Sequence, residues 1–126
     1  MRLLILATVG GAIGSGARLL VNVGFARTLG PHFPWATLTV NVVGSLLMGF
    51  LVDMILRQYG GSPELRTFLA TGILGGFTTF SAFTLDIATL AGRGDGASAA
   101  GYVLASVVIS LLALYAGIAM SKAIFS

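Results

Sequence analysis

The sequence contains no cysteine and a single histidine, His32, so disulfide bonds and thiolate metal sites are excluded. Its four acidic residues, Asp53, Glu64, Asp86 and Asp95, stand far apart along the chain. No carboxylate pair, catalytic triad or side-chain metal cluster can be assembled from them at helical spacing. We therefore expect a protein that is not an enzyme.

Charged residues are also scarce, at 9% of 126 residues, whereas 56% are hydrophobic. A soluble domain carries about a quarter charged residues. The few charges divide the chain into four apolar stretches, residues 3–25, 35–56, 65–90 and 97–124, and a helical crossing of a bilayer needs roughly 20 residues. We expect an all-α, multi-pass protein of the cell membrane, with residues 1–126 forming a single four-helix domain.

The first apolar stretch also has some features of a secretory signal peptide, because Arg2 precedes an apolar run and small residues. The run continues past Arg18, however, and its removal would leave only three helices. We therefore expect it to be retained as the first transmembrane helix.

The seven cations lie close to the ends of the apolar stretches, which indicates contact with lipid headgroups rather than with nucleic acid. The N-terminal side of the membrane has Arg2, Arg57, Arg66 and Lys122, and the other side has Arg18, Arg27 and Arg93. A protein with one orientation normally has a clear excess of cations on its cytoplasmic side. Either another anchor outweighs this balance, or the protein inserts in both orientations and assembles as an antiparallel homodimer.

The third stretch contains residues that are poor material for a helix interior. Gly75 and Gly76 are followed almost at once by Thr78 and Thr79, near the middle of the predicted crossing. Close helix packing would account for small residues four apart, such as Gly72 and Gly76. The whole cluster is better explained by a break in the third helix at mid-membrane. Non-helical backbone at that depth must be buried in protein or line a wet cavity, where its carbonyls can coordinate a cation.

Polar residues form stripes at helical spacing on two other stretches. The second stretch has Thr37, Asn41 and Ser45, the fourth has Tyr102, Ser106 and Ser110, and the third adds Thr79, Ser81 and Thr84. Such residues can simply hydrogen-bond between helices. Together they also describe a polar path. Asn41 favours the path, because a carboxamide at mid-membrane must be paired or hydrated.

Three phenylalanines, Phe77, Phe80 and Phe83, follow the expected break. Aromatic packing is one explanation. The other is that positive ring edges replace the hydration shell of an anion without a fixed cation that would trap it. Arg18 either extends to the interface or holds positive charge at a vestibule.

The segments Gly10–Arg18 (Gly-Gly-x-x-Gly…Arg), 37–41 and above all 71–83 (Thr-Gly-x-x-Gly-Gly-Phe-Thr-Thr-Phe-Ser-x-Phe) resemble the Fluc family of fluoride channels, also called the CrcB family. The resemblance covers essentially the whole chain. It implies a passive channel that exports fluoride from the cytoplasm through two pores of an antiparallel, dual-topology homodimer. It also implies a central, structural sodium ion held by the backbone carbonyls of Gly75 and Thr78.

The same resemblance assigns a pore lining, which comprises Asn41, Phe80, Phe83, Tyr102, Ser106 and Ser110. Thr79 and Ser81 join this set as hydroxyls beside the break. Asp86 stands where the family pattern has a glutamate, so the resemblance gives its carboxylate no clear role. Phe77 is expected to be a packing residue.

Two other functions remain open from the residues. A small multidrug-type exporter also has four helices, but exporters of that kind use a carboxylate in the first helix, and residues 3–25 contain none. A non-conducting accessory subunit would use the polar stripes only to join helices.

Overall fold

The computed structural model describes all 126 residues, Met1 to Ser126, and consists of helices joined by short turns. We number the helices in chain order: α1 (Arg2–Leu29), α2 (Trp35–Tyr59), α3 (Pro63–Leu65), a π-helical segment (Arg66–Leu74), α4 (Gly75–Phe77), α5 (Ser81–Gly92) and α6 (Gly96–Phe125).

Four helical stretches are long and apolar enough to cross a membrane: Arg2–Leu29, Trp35–Tyr59, Pro63–Gly92 and Gly96–Phe125. The predicted all-helical architecture with four candidate spans is therefore confirmed. Helix α1 continues to Leu29, beyond the predicted end at residue 25, and so includes Arg27 in its last turn. A cation is favourable at that position because the last carbonyls of a helix carry partial negative charge.

Local capping fixes where the later helices begin. The Ser62 hydroxyl accepts a hydrogen bond from the Leu65 N–H at 3.3 Å, with Pro63 in the first helical position. The Asp95 carboxylate accepts one from the Ser98 N–H at 3.2 Å and starts α6. Each cap satisfies a backbone donor that has no partner inside its helix.

Two pairs of helices pack backbone to backbone, and glycine makes both contacts possible. Helix α1 lies against the π-helical segment, where a Cβ on Gly10 would stand 2.6 Å from the Phe68 carbonyl oxygen. Helix α2 lies against α6, where a Cβ on Gly49 would collide with the Leu114 carbonyl and one on Gly117 with that of Leu46. In a bilayer such close contact is a main source of helix association, because apolar surface gains little by leaving lipid.

Few residues are buried within the chain: 17 of the 126 are, and most large apolar side chains on α1 and α6 face outward. The largest buried cluster contains Phe83, Leu90, Ala99 and Tyr102, where α5 packs against α6. This cluster adjoins the non-helical residues between α4 and α5 and fixes one wall of the cleft described next.

Candidate functional site

The third span contains non-helical backbone at Thr78. Helix α4 ends at Phe77, Thr78 has the extended dihedral angles φ −87° and ψ 160°, and α5 begins at Ser81. Residues 78–80 therefore contribute backbone groups that helical hydrogen bonding does not satisfy. In an apolar environment each of these groups needs another partner.

Asn41 on α2 supplies two of those partners. Its Nδ2 donates to the Thr79 carbonyl oxygen at 3.0 Å, and the Thr79 N–H donates to its Oδ1 at 2.8 Å. In an uninterrupted helix the Thr79 N–H would donate to the carbonyl of Gly75. The carboxamide thus replaces one helical bond and satisfies both polar groups of Thr79.

Arg18 on α1 bonds to a carbonyl just before residues 78–80, that of Gly76. Its Nε donates to the Gly76 carbonyl oxygen at 3.1 Å, and its side chain is half-buried. A cation beside the last carbonyls of a helix is electrostatically favourable. The structure therefore places Arg18 at the end of α4. The interfacial and vestibule roles considered from the sequence stay predictions.

The threonines and Ser81 complete the turn. The Thr78 hydroxyl donates to the Leu74 carbonyl at 2.9 Å, and the Thr79 hydroxyl accepts from the Ala82 N–H at 3.2 Å. The Thr79 and Ser81 hydroxyls lie 3.4 Å apart. Thr79 thus caps the start of α5 in the manner of an N-cap residue.

The carbonyl oxygens of Gly75 and Thr78 lack the N–H donors that a continuous helix would give them. The Thr79 N–H, which would donate to the Gly75 carbonyl, donates to Asn41 instead, and no N–H or side chain donates to the Thr78 carbonyl. Gly75 is exposed, and a Cβ built there would meet only the Ala70 carbonyl, at 3.6 Å. These oxygens are free to accept a donor or a cation.

A cleft of about 320 Å³ opens beside the turn, between α2, α5 and α6, and is referred to below as the central cleft. It brings together six of the predicted pore residues: Asn41, Thr79, Phe80, Phe83, Ser106 and Ser110. Its other lining residues are Gly44, Ser45, Met48, Thr78, Val107 and Leu114. Of these, Gly44, Met48, Val107 and Leu114 were not anticipated. They adjoin the polar stripes on α2 and α6, and nothing in an apolar helical run distinguishes them from lipid-facing residues.

Two hydroxyls in this lining have no partner. Ser106 is buried, and the Oγ atoms of both Ser106 and Ser110 are inaccessible and make no hydrogen bond. They lie four residues apart and so project from the same side of α6. A buried hydroxyl without a partner costs about 1–3 kcal/mol, so both groups favour a hydrogen-bonding ligand or water.

The two aromatic residues of the cleft differ in burial. Phe83 is only 7% exposed, whereas Phe80 is 75% exposed, and their ring centroids lie 5.6 Å apart. Phe77 does not line the cleft; it is half-buried near Gly44, as a packing residue would be.

Tyr102 lies beside the central cleft rather than in its lining. It is fully buried, with its ring 5.2 Å from that of Phe83, and its hydroxyl donates to Asp86 Oδ2 at 2.8 Å. The pairing gives the Asp86 carboxylate a hydrogen-bond donor within the protein. A direct pore-lining role for Tyr102 stays a prediction.

A second cleft, of about 300 Å³, lies next to the loop between α1 and α2 and is called the loop cleft below. Its lining includes Phe33, Trp35, Thr37, Asp86 and Arg93. Arg93 Nη1 donates to the His32 carbonyl at 3.0 Å, which ties the loop to the end of α5.

Residues 5–118 of the chain match the family model described as "CrcB-like protein, Camphor Resistance (CrcB)". The chain belongs to the CrcB family. A relative from Agrobacterium fabrum is 52% identical over 95% of this chain and 96% of its own. Relatives from Mesorhizobium japonicum and Rhizobium meliloti are each 50% identical, over 96% and 98% of this chain and 97% and 98% of their own.

All three relatives carry the name "Fluoride-specific ion channel FluC". The family resemblance drawn from the third span is therefore confirmed. These relatives are named as channels rather than enzymes, and the four apolar helices are those of a multi-pass membrane protein.

The pairing of Asn41 with Thr79 should contribute to the stability of the fold. Asn41→Ala leaves two half-buried backbone groups of Thr79 unpaired, and we expect the free energy of unfolding to fall by about 1–3 kcal/mol. Denaturation of the purified protein in detergent measures this change. Asn22→Ala is the matched control, because Asn22 is exposed and makes no side-chain hydrogen bond. Equal stability of the two variants would contradict the assigned role of Asn41.

Proposed function

We propose that this protein is a fluoride-selective passive channel that exports fluoride from the cytoplasm. The observation that carries the proposal is the lining of the central cleft. It combines the Asn41 carboxamide, two unpartnered serine hydroxyls and the rings of Phe80 and Phe83, and it contains no charged residue. The names of the relatives support the same substrate.

The chemistry of this lining suits a small, strongly hydrated anion. The hydroxyls of Ser106 and Ser110 have no protein partner, and a small rotation toward the cleft would let them donate to an anion in place of water. The positive edges of aromatic rings can approach the same anion. Conduction requires binding that is strong enough for entry but weak enough for release. A lining of dipoles without a fixed cation satisfies both requirements.

The driving force requires no coupled reaction. Hydrogen fluoride is a weak acid that crosses membranes uncharged and ionises in the cytoplasm. A membrane potential that is negative inside then favours outward movement of the anion through an open pore.

We further propose that the working unit is an antiparallel, dual-topology homodimer with two pores. One subunit exposes 7297 Å² of surface, more than the roughly 6,300 Å² expected for a compact chain of 12.9 kDa. The central cleft is open, and Phe80 at its side is 75% exposed. A second subunit would close the cleft, and the nearly equal cation count on the two sides favours opposite orientations.

A sodium ion shared by the two subunits is part of the proposal. The Gly75 and Thr78 carbonyls, which lack their helical donors, fit such an ion because sodium prefers neutral oxygen ligands. When bound, the ion would supply positive charge that offsets the exposed carbonyl dipoles of the interrupted third span.

Two other functions fit the residues less well. A proton-coupled multidrug exporter would need a carboxylate in the first helix, and Arg2–Leu29 contains none. An accessory subunit would use its polar stripes only to join helices. Asn41 and Tyr102 do make bonds between helices, but Ser106 and Ser110 make none.

Purified protein in liposomes loaded with potassium fluoride tests the function. We expect fluoride to leave when a potassium ionophore is added, and chloride-loaded liposomes to retain their chloride. Phe80→Ile removes an aromatic edge worth about 1 kcal/mol, so fluoride flux should fall roughly fivefold. Phe125→Ile, far from the cleft at the end of α6, is the control. Equal release of both anions, or of neither, would refute the proposed channel.

Removal of sodium tests whether the protein binds the proposed ion. We expect the thermal midpoint of the purified protein to fall by about 5 °C or more when N-methyl-D-glucamine replaces sodium at equal ionic strength, because a ligand of the folded state stabilises it. Choline replacing N-methyl-D-glucamine should change nothing. An identical midpoint with and without sodium would argue against the ion site.

Thiol labelling tests the two orientations. The chain has no cysteine, so Ser62→Cys introduces a single thiol in the loop after α2. An impermeant maleimide added to intact cells should label about half of the chains if both orientations occur. Asp95→Cys, in the loop on the opposite side, should give the same fraction. Complete labelling of one variant together with none of the other would establish a single orientation.

A further inference from the structure

An unbroken series of aromatic contacts leads from the loop between α1 and α2 to the central cleft. The ring of Phe33 lies 5.5 Å from that of Tyr102, at an interplanar angle of 84°. The ring of Tyr102 lies 5.2 Å from that of Phe83, which lines the cleft. Phe33 itself does not touch the central cleft.

Tyr102 is held from more than one side. Its hydroxyl donates to Asp86, its ring contacts Phe83, and Phe33 closes a further side of the ring. The side chain has no exposed surface. Of these neighbours, Phe33 is the one carried by a loop rather than by a helix.

The loop is in turn held in place by the protein. Arg93 donates from Nη1 to the His32 carbonyl at 3.0 Å and from Nη2 to that of Pro31 at 3.5 Å. The Trp35 N–H donates to the Phe33 carbonyl at 2.8 Å, in a tight turn. A guanidinium bonded to two successive carbonyls restricts the loop, and Phe33, the next residue, packs against the buried cluster of α5 and α6.

We propose that Phe33 is a positioning residue that acts on the central cleft through Tyr102. It holds Tyr102 against Phe83 and so fixes the position of the Phe83 ring in the lining of the central cleft. The Phe33–Tyr102 pair is edge-to-face and the Tyr102–Phe83 pair is tilted by 54°, so the loss of Phe33 removes one of the aromatic contacts that hold the Tyr102 ring. The effect on fluoride rests on the proposed channel function, whereas the packing effect does not.

Flux measurements test whether Phe33 affects fluoride conduction. Phe33→Ala should lower fluoride release from liposomes roughly three- to tenfold. Phe33→Tyr keeps the ring and should restore release to near the parent value. Phe125→Ala is the matched control, because it removes one ring of a distant pair, Phe50–Phe125, whose centroids lie 6.0 Å apart. An effect of Phe33→Ala no larger than that of Phe125→Ala would overturn the proposal.

A thiol measurement tests the route through Tyr102 and does not depend on conduction. The chain is otherwise free of cysteine, so Ser106→Cys places one buried thiol in the lining of the central cleft and keeps the Phe83 ring. We expect a small maleimide to label that thiol at least about threefold faster when Phe33→Ala is added. Once Tyr102→Leu is present, Phe33→Ala should give no further increase.

The proposed channel function and the positioning role of Phe33 can fail separately. If the parent protein releases no fluoride, the channel function is refuted, and the labelling rates still test whether Phe33 acts through Tyr102. The positioning role would be refuted if Phe33→Ala left the labelling rate unchanged. It would also be refuted if Phe33→Ala accelerated labelling equally with Tyr102→Leu present, even where fluoride flux is normal.

Discussion

The reciprocal pair of hydrogen bonds between Asn41 and Thr79 is the interaction on which the rest of the site depends. It removes the Thr79 N–H from the helical ladder and satisfies the Thr79 carbonyl as well. With its backbone held by α2, Thr79 has its hydroxyl free to cap α5. The start of α5 fixes the positions of Phe80 and Phe83. The Asn41 carboxamide therefore determines where these two rings lie in the lining of the central cleft.

That pair can form only because the helices approach closely. A Cβ on Gly44 would collide with the Thr78 side chain, so the glycine allows α2 to reach the turn. On the other side of the third span, a Cβ on Gly14 would collide with the Ile73 carbonyl, and Gly14 therefore allows α1 to lie against the π-helical segment. The small residues on α1 and α2 thus hold the non-helical backbone between two helices, where Arg18 and Asn41 can reach it.

Much of the fold, but only part of the site, could be predicted from the sequence. Hydropathy alone located the four helices, and the glycine and threonine cluster marked the segment that contains the extended Thr78. The partner of Arg18 could not be inferred, because Gly76 lies 58 residues away and a guanidinium can serve an interface, a vestibule or a carbonyl equally well. Helical spacing likewise put Tyr102 in line with Ser106 and Ser110, but not its rotamer, which turns the hydroxyl toward Asp86.

The electrical neutrality of the central cleft follows from how the nearby charges are used. The Arg18 guanidinium is engaged by the Gly76 carbonyl, and the Asp86 carboxylate is engaged by the Tyr102 hydroxyl outside the cleft lining. The lining itself contains hydroxyls, a carboxamide, aromatic rings and apolar side chains, and none of its residues is charged. A fixed cation would hold an anion too tightly for release, and a fixed anion would repel it. In the proposed channel, an uncharged polar lining of this kind would attract a small anion without trapping it, which is the condition for rapid permeation.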